Sequence, residues 1–529
     1  MINLDRTDLP SPYIDRKVAE GLFRELLSER PTYRVLNIFG KAGSGKSYFI
    51  EYIEAKYLKK RDDYISIKLN FEDRLLHKPQ SAIMHMAKEL EAKYNFNFMA
   101  LWKAYAILWH KRYEHSPIMY AADLPYFEEV KQYANPSNKA TINIATGIFG
   151  SKVSEDLESL KSLDTKSIES RLYQFFAADL RRIIKDGEYK DCIIIFENLD
   201  ALEVKINSTP CSKDAWVRDL IAHIGKEAMF MLSSKEQLNW GGCNKIWNLV
   251  VKEAKMLPFI TRDSIRYLRY CDIDNEALAK AIALSSSNEP FWLSLGSTVY
   301  KGGRKKLPTS KKDILLEFLD TLEPDLEKLL DVLSFARVFT LDLLYSIKEH
   351  FNLTLTEHQI EKFFNFPFVK DISEERYILD IQLKDEIKSF CDANEELEYK
   401  SFLFSYYENI LQSIDSEIIK ASPSVVDEAI EEAWYHLNLI NNEPLVHFEW
   451  LDYYIDRFFM YAAWEPFLDR YNNIVPKLAR AKDKISKDKL IALYNNLAGL
   501  YESLGDTQIS KDYYNKVVTL NRPELLIAS

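Results

Sequence analysis

At 529 residues, with 47% hydrophobic and 28% charged side chains, the chain has material for about three to four globular domains with sizeable cores. A formal net charge of −11 excludes a general electrostatic drive toward nucleic acid. Five cysteines without C-x-x-C spacing exclude a disulfide framework or cysteine zinc site, and with no signal core and no apolar run of about 18 residues the chain reads as cytoplasmic, with no membrane partner.

In chain order, the first strong element is the apolar run Val35-Leu36-Asn37-Ile38-Phe39, which reads as a strand. It runs into Gly40-Lys41-Ala42-Gly43-Ser44-Gly45-Lys46-Ser47, which matches G-x-x-x-x-G-K-[ST], and a helix-like segment follows from Tyr48. Three of the chain's 15 glycines fall in this loop. Such glycines let backbone N–H groups turn inward onto phosphate oxygens, and the helix N-terminus adds partial positive charge. Lys46 is placed to reach the β- and γ-phosphates of ATP or ADP, and the Ser47 hydroxyl to meet Mg²⁺.

Residues 63–71, 192–200 and 227–236 read as further strands of a doubly wound α/β sheet, the last two ending in polar residues. Ligands in such sheets bind beyond the carboxyl ends of the strands, where these polar ends converge. Glu197 and Asp200 are the acids there; they read as a Mg²⁺ and water site, or as solvated acids of a strand-end turn. A long, mostly helical insertion covers about residues 75–180, with a Gly/Ser/Thr/Asn-rich loop from Asn135 to Ser151.

From about residue 260 the pattern is helical. The leucine spacing of "LEFLDTLEPDLEKLLDVLSFA" predicts a pair of amphipathic helices, and "RYILDIQLKDEIKSF" a strand then a helix, as in the wing of a winged helix. Everything from about residue 393 reads as helix. In the last hairpin Tyr494, Leu497, Ala498, Tyr501, Ser510, Tyr514 and Val517 fall at tetratricopeptide-repeat spacings, with Gly505-Asp506 at the turn. The expected divisions are a phosphate-loop domain (1–258), a helical lid (259–305), a winged helix (306–392) and a repeat-like helical region (393–529).

With these motifs in this order, the chain resembles the STAND class of signalling NTPases, and most closely its bacterial members with tetratricopeptide repeats. The resemblance implies that Ile14 and Arg16, in "YIDRKVAEGLF", lie beside the adenine and that Pro290, in "SNEPFWL", packs near the base. It makes Glu197, with Ser47, the metal-holding acid, leaves Asp200 to orient water, and puts Lys235 where a phosphate-sensing arginine is common. Three departures stand out. Glu197-Asn198 replaces paired aspartates, Lys235 lacks a guanidinium's bidentate geometry, and Asp380 stands where a histidine often meets the diphosphate and is expected to repel it.

The implied function is an ATP-binding switch that couples nucleotide state and a trigger to opening and oligomerisation, in antiviral or stress defence, with slow hydrolysis. No effector motif is present, so a separate effector is expected, engaged by the C-terminal helices or by self-association through them. Two alternatives stay open: a nucleotide-bound scaffold that does not hydrolyse, and a winged-helix DNA-binding regulator, against which the net charge weighs.

Overall fold

Runs of β-branched and aromatic residues set the strands of the first sheet. In the computed structural model, which describes residues 16–59, 63–112, 151–187, 189, 191–206, 209–301, 306–373, 375–415, 423–459, 465–480 and 486–521, these are β1 (Val35–Phe39), β2 (Tyr64–Asn70) and β3 (Asp191–Glu197). A two-stranded ribbon follows, β4 (Glu203–Ile206) and β5 (Thr209–Ser212), then β6 (Ala228–Ser234) and β7 (Val251–Lys255). Five of them form one parallel sheet in the order β2-β3-β6-β1-β7. Its inner strands are buried on both faces, which is why β3 and β6 read as unbroken apolar runs with no alternation.

Helix α1 (Lys17–Leu26) and helix α2 (Lys46–Ile53) cover one face, with Phe23, Leu26, Phe49, Ile50 and Ile53 packed on Leu36, Ile38, Ile193, Ile195 and Met231. Asn37 is fully buried in β1 but satisfied, its amide donating to Ser234 Oγ (3.0 Å) and Glu253 Oε2 (2.8 Å). The chain leaves β1 toward β2 on one side and ends in β7 on the other. The sheet therefore has a topological switch at β1, the place where α/β sheets receive ligands.

The chain divides into two compact units. The first comprises Met1–His77 and Arg181–Glu396. Beyond the sheet it holds the helices Thr261–Tyr270, Glu276–Ser285, Pro290–Tyr300 and Lys311–Leu319. The leucine-rich stretch is indeed two helices, broken where Pro324 starts Pro324–Phe335 at its first turn. Helices Leu341–His350 and Glu357–Phe364 follow, then an antiparallel hairpin, β8 (Val369–Ser373) and β9 (Arg376–Leu379), and helix Ile381–Lys388. Side-chain caps by Ser310, Thr340 and Thr356 fix where these helices begin.

The second unit comprises Lys78–Leu180 and Leu397–Ser529, so the insertion shares a core with the C-terminal helices. Helix Met99–Arg112 is buried on all sides from Met99 to Trp109. At its end Arg112 bridges Glu169 (3.0 Å) and Glu465 (2.5 Å), and Thr165 Oγ1 donates to Leu504 O (2.6 Å). Among its described residues the C-terminal part consists of helices joined by short connections. Its last two helices, Lys487–Ser503 and Thr507–Asn521, form a hairpin turning at Gly505, whose φ of 81° suits glycine. Leu497, Ala498 and Ser510 are buried there, whereas Tyr514 and Val518 are exposed. Most of the Asn135–Ser151 loop, and Pro523 beyond the hairpin, lie outside the described residues. Among the described residues no helix is long and apolar enough to cross a membrane.

Candidate functional site

The loop after β1 closes onto α2 as the motif requires. Gly45 takes φ 89° as the residue before the helix, and a Cβ at Gly40 would lie 2.5 Å from Met256 O. Lys46 is buried, and its ammonium folds back on the loop, donating to Gly40 O (2.6 Å) and Lys41 O (3.2 Å). Burial pulls its pKa down, and Asp200 opposes that shift. A phosphate would offer this ammonium a better partner than two carbonyls.

Glu197, at the end of β3, is buried; burial pushes its carboxyl up, while Lys68 and a hydrogen bond from Ser47 pull it down. Ser47 and Glu197, the two side chains expected to hold Mg²⁺, are thus already joined. Among the described residues no group of three or more His, Cys, Asp or Glu side chains is arranged as a protein-only metal site. That donor set fits a magnesium ion held largely by nucleotide phosphates and water. Asn198 follows with φ 57°, its N–H donating to Ser233 Oγ and its amide to Asn70 Oδ1, both at 2.9 Å. Asp200 accepts from the Lys235 backbone N–H (2.9 Å) and meets its ammonium at 3.0 Å. Lys235 and Asp200 therefore engage each other in this structure.

The segments flanking the loop grip it by its carbonyls. Arg16 donates to Ser44 O (2.9 Å) and Leu257 O (2.6 Å) and stacks on the Phe259 ring at 4.2 Å. Phe291 N–H donates to Gly43 O (3.3 Å), and the Pro290 ring lies against Gly45. Gln382 Nε2 donates to Ala42 O (3.0 Å), its side chain filling the space a Cβ at Gly43 would need. Gln382 Oε1 and Ser44 Oγ are buried with no hydrogen-bond partner. Tyr48 sits on the first turn of α2, its hydroxyl pushed up by burial and by Glu51. Ile14 lies outside the described residues.

Asp380 does not act as expected. It caps helix Ile381–Lys388 through Gln382 N (3.0 Å) and pairs with Lys370 at 2.7 Å, so its charge is offset locally by an ammonium. Lys370, on β8, also lies in the field of Glu72 and Glu197 and raises the positive potential at Lys46. Arg376 on β9 pairs with Asp73, just past β2. Lys68, Lys370 and Gln382 were not singled out in the sequence. No local motif marks them; Gln382 lies 340 residues from the carbonyl it meets.

A glycine loop at the switch point of a parallel sheet, with a buried lysine beneath it and an acid joined to its serine, defines a phosphate-loop NTPase domain. No family model matches the sequence, and no curated protein is similar to it. Among solved structures the chain is similar to a Signal Transduction ATPase with Numerous Domains (STAND) protein with a tetratricopeptide repeat sensor from Pyrococcus horikoshii. Identity is 13%, the TM-score 0.45, and the match covers 98% of this chain and 66% of that one, so the chain spans just under two thirds of its length. It is also similar, at 15% identity and a TM-score of 0.29, to the Orc1 protein of Aeropyrum pernix solved in complex with DNA, over 73% of this chain and 94% of that one. Likenesses this loose carry no residue-by-residue correspondence.

Proposed function

We propose that the chain is an ATP-binding signalling switch with slow hydrolysis, in which the state of the loop governs the lid and the 306–392 segment. One observation carries the reading. The carbonyls of Ala42, Gly43 and Ser44 each accept a hydrogen bond from a different segment: Gln382, Phe291 and Arg16. A phosphate drawn into the loop would engage the N–H ends of those same peptide groups. Nucleotide binding is therefore linked to the grip of all three segments, and a ligand shifts such an equilibrium by its differential affinity for the two arrangements. Opening would free surface for self-association or for a separate effector, with the C-terminal helices as the sensing or docking element. Antiviral or stress defence is the biological setting implied by the STAND resemblance.

The test is mass analysis of the purified protein, its bound nucleotide identified after denaturation, followed by mass photometry in ATP and in ADP. Co-purified ADP or ATP and an ATP-dependent change of mass are expected. Absence of any nucleotide uptake removes the reading.

A non-hydrolysing scaffold is the second reading. It is favoured by the engagement of Asp200 with Lys235 and of Glu197 with Ser47, in which both acids already have protein partners. Single-turnover measurement with radiolabelled ATP separates the two. A DNA-binding regulator would show salt-dependent retention of duplex DNA, which the net charge of −11 disfavours.

A further inference from the structure

Within the nucleotide unit, one cation has no place in the phosphate-loop motif. Lys68 lies on β2, its ammonium 2.9 Å from Glu54 Oε2 and 3.8 Å from Glu197 Oε1. Glu51 contributes further to the negative field around it. Glu54 opens a π-helical turn, Glu54–Leu58, that continues α2, so the helix that begins at the phosphates ends by supplying Lys68's nearer partner. Glu197 is 5% exposed against 37% for Lys68. A carboxylate that buried requires a compensating charge. Among the described residues Lys68 is the cation in ion-pair range of Glu197; Lys370 adds a weaker positive field, and the neutral Ser47 hydroxyl donates a hydrogen bond.

We propose that Lys68 is a resident cation of the metal site: it neutralises Glu197 in place of Mg²⁺, so that this chain holds a nucleotide diphosphate with little dependence on magnesium. The inference rests on the nucleotide-binding reading above. Lys68 and a bound Mg²⁺ would answer to the same carboxylate and repel each other. Glu54 sets the balance, because it holds the ammonium nearer to itself than to Glu197. Lys68 is a positioning residue here, acting on the metal through Glu197.

Two substitutions separate this role from a merely structural one. Lys68→Met and Glu54→Gln both delete the Lys68–Glu54 pair, so a structural role predicts changes in the same direction for both. Competition for Glu197 predicts opposite ones. Without Lys68, Mg²⁺ meets an uncompensated carboxylate and binds more tightly. Without Glu54, the ammonium moves onto Glu197 and Mg²⁺ binds more weakly.

The experiment measures a fluorescent ADP analogue bound to the full chain, first in EDTA and then during titration with Mg²⁺, with thermal melting to confirm folding. For the wild type, affinity in EDTA should lie within about threefold of that in Mg²⁺; the Mg²⁺ midpoint should fall about tenfold in Lys68→Met and rise about threefold in Glu54→Gln, the scale of one unit charge screened by a water-like dielectric. Midpoints moving the same way, or a wild type that loses the analogue in EDTA, overturn the proposal and leave the nucleotide site standing. No uptake in either buffer overturns both.

Discussion

The two units bury charge for different ends. In the nucleotide unit several buried polar side chains lie around one loop: Ser44 and Lys46 within it, Glu197 at a strand end beside it, and Asp380 on the segment that supplies Gln382. In the helical unit they pin helices distant in sequence. Arg112 ties Glu169 to Glu465, Arg470 reaches Glu431, and Asp179 accepts from Leu101 N at 3.0 Å. Buried charge is thus placed at a phosphate-loop motif in one unit and registers helices in the other, and the two placements are expected to respond oppositely to deletion.

The sharpest way to break that contrast is Arg112→Met. It removes a buried guanidinium from two part-exposed carboxylates, and a loss of about 3 kcal/mol, the worth of two charge-assisted hydrogen bonds, is expected. Chemical denaturation should register it while nucleotide affinity is unchanged. An affinity loss of equal size would mean that the helical unit's integrity controls the loop.

Lys46→Ala is the converse. Removing the buried ammonium should lower ATP affinity by about 100-fold, close to a lost charged hydrogen-bond partner of up to about 3 kcal/mol. The melting temperature should hold or rise, since burial already disfavours this charge. Calorimetry reads the first and scanning fluorimetry the second. Unchanged ATP affinity would remove the basis of the functional reading.

A smaller effect tests a half-buried charge. Asp331, in helix Pro324–Phe335, is pushed up to about 7 by burial and by Glu327. Its folded pKa exceeds the unfolded value, so ionisation destabilises the fold progressively as pH rises from about 4 to 7. Asp331→Asn should therefore stabilise the protein at pH 8 and leave it unchanged at pH 4. Equal shifts at both values would assign the effect to something other than this carboxyl.

Gln382→Ala should raise nucleotide affinity about fivefold, the worth of one hydrogen bond of about 1 kcal/mol that no longer restrains the loop. Reduced affinity would make Gln382 a ligand-binding group. The smallest stability change is expected at the C-terminal helix. Tyr514→Glu with Val518→Lys alters two exposed positions and should stay within about 0.5 kcal/mol, yet weaken self-association or effector capture. Unaltered association by mass photometry and pull-down would discard that surface.

The sequence alone determined the elements whose signals are local. The phosphate loop is a run of eight residues whose backbone needs dictate its glycines, and the strands flanking it are apolar because both their faces are covered. The helical character of the second half follows from residue spacing within single turns. Tertiary structure alone decided which distant segments meet. The insertion counted in sequence order with the phosphate-loop domain shares its core with the C-terminal helices. Asp380, read as a repulsive charge, is quenched by Lys370 ten residues earlier, because the β8–β9 hairpin folds one back on the other. Lys68 and Gln382 are unremarkable in the chain and become part of the site through strand order and a helix start. A side chain's charge is written in the sequence, but its electrostatic role depends on distances to partners that only packing sets.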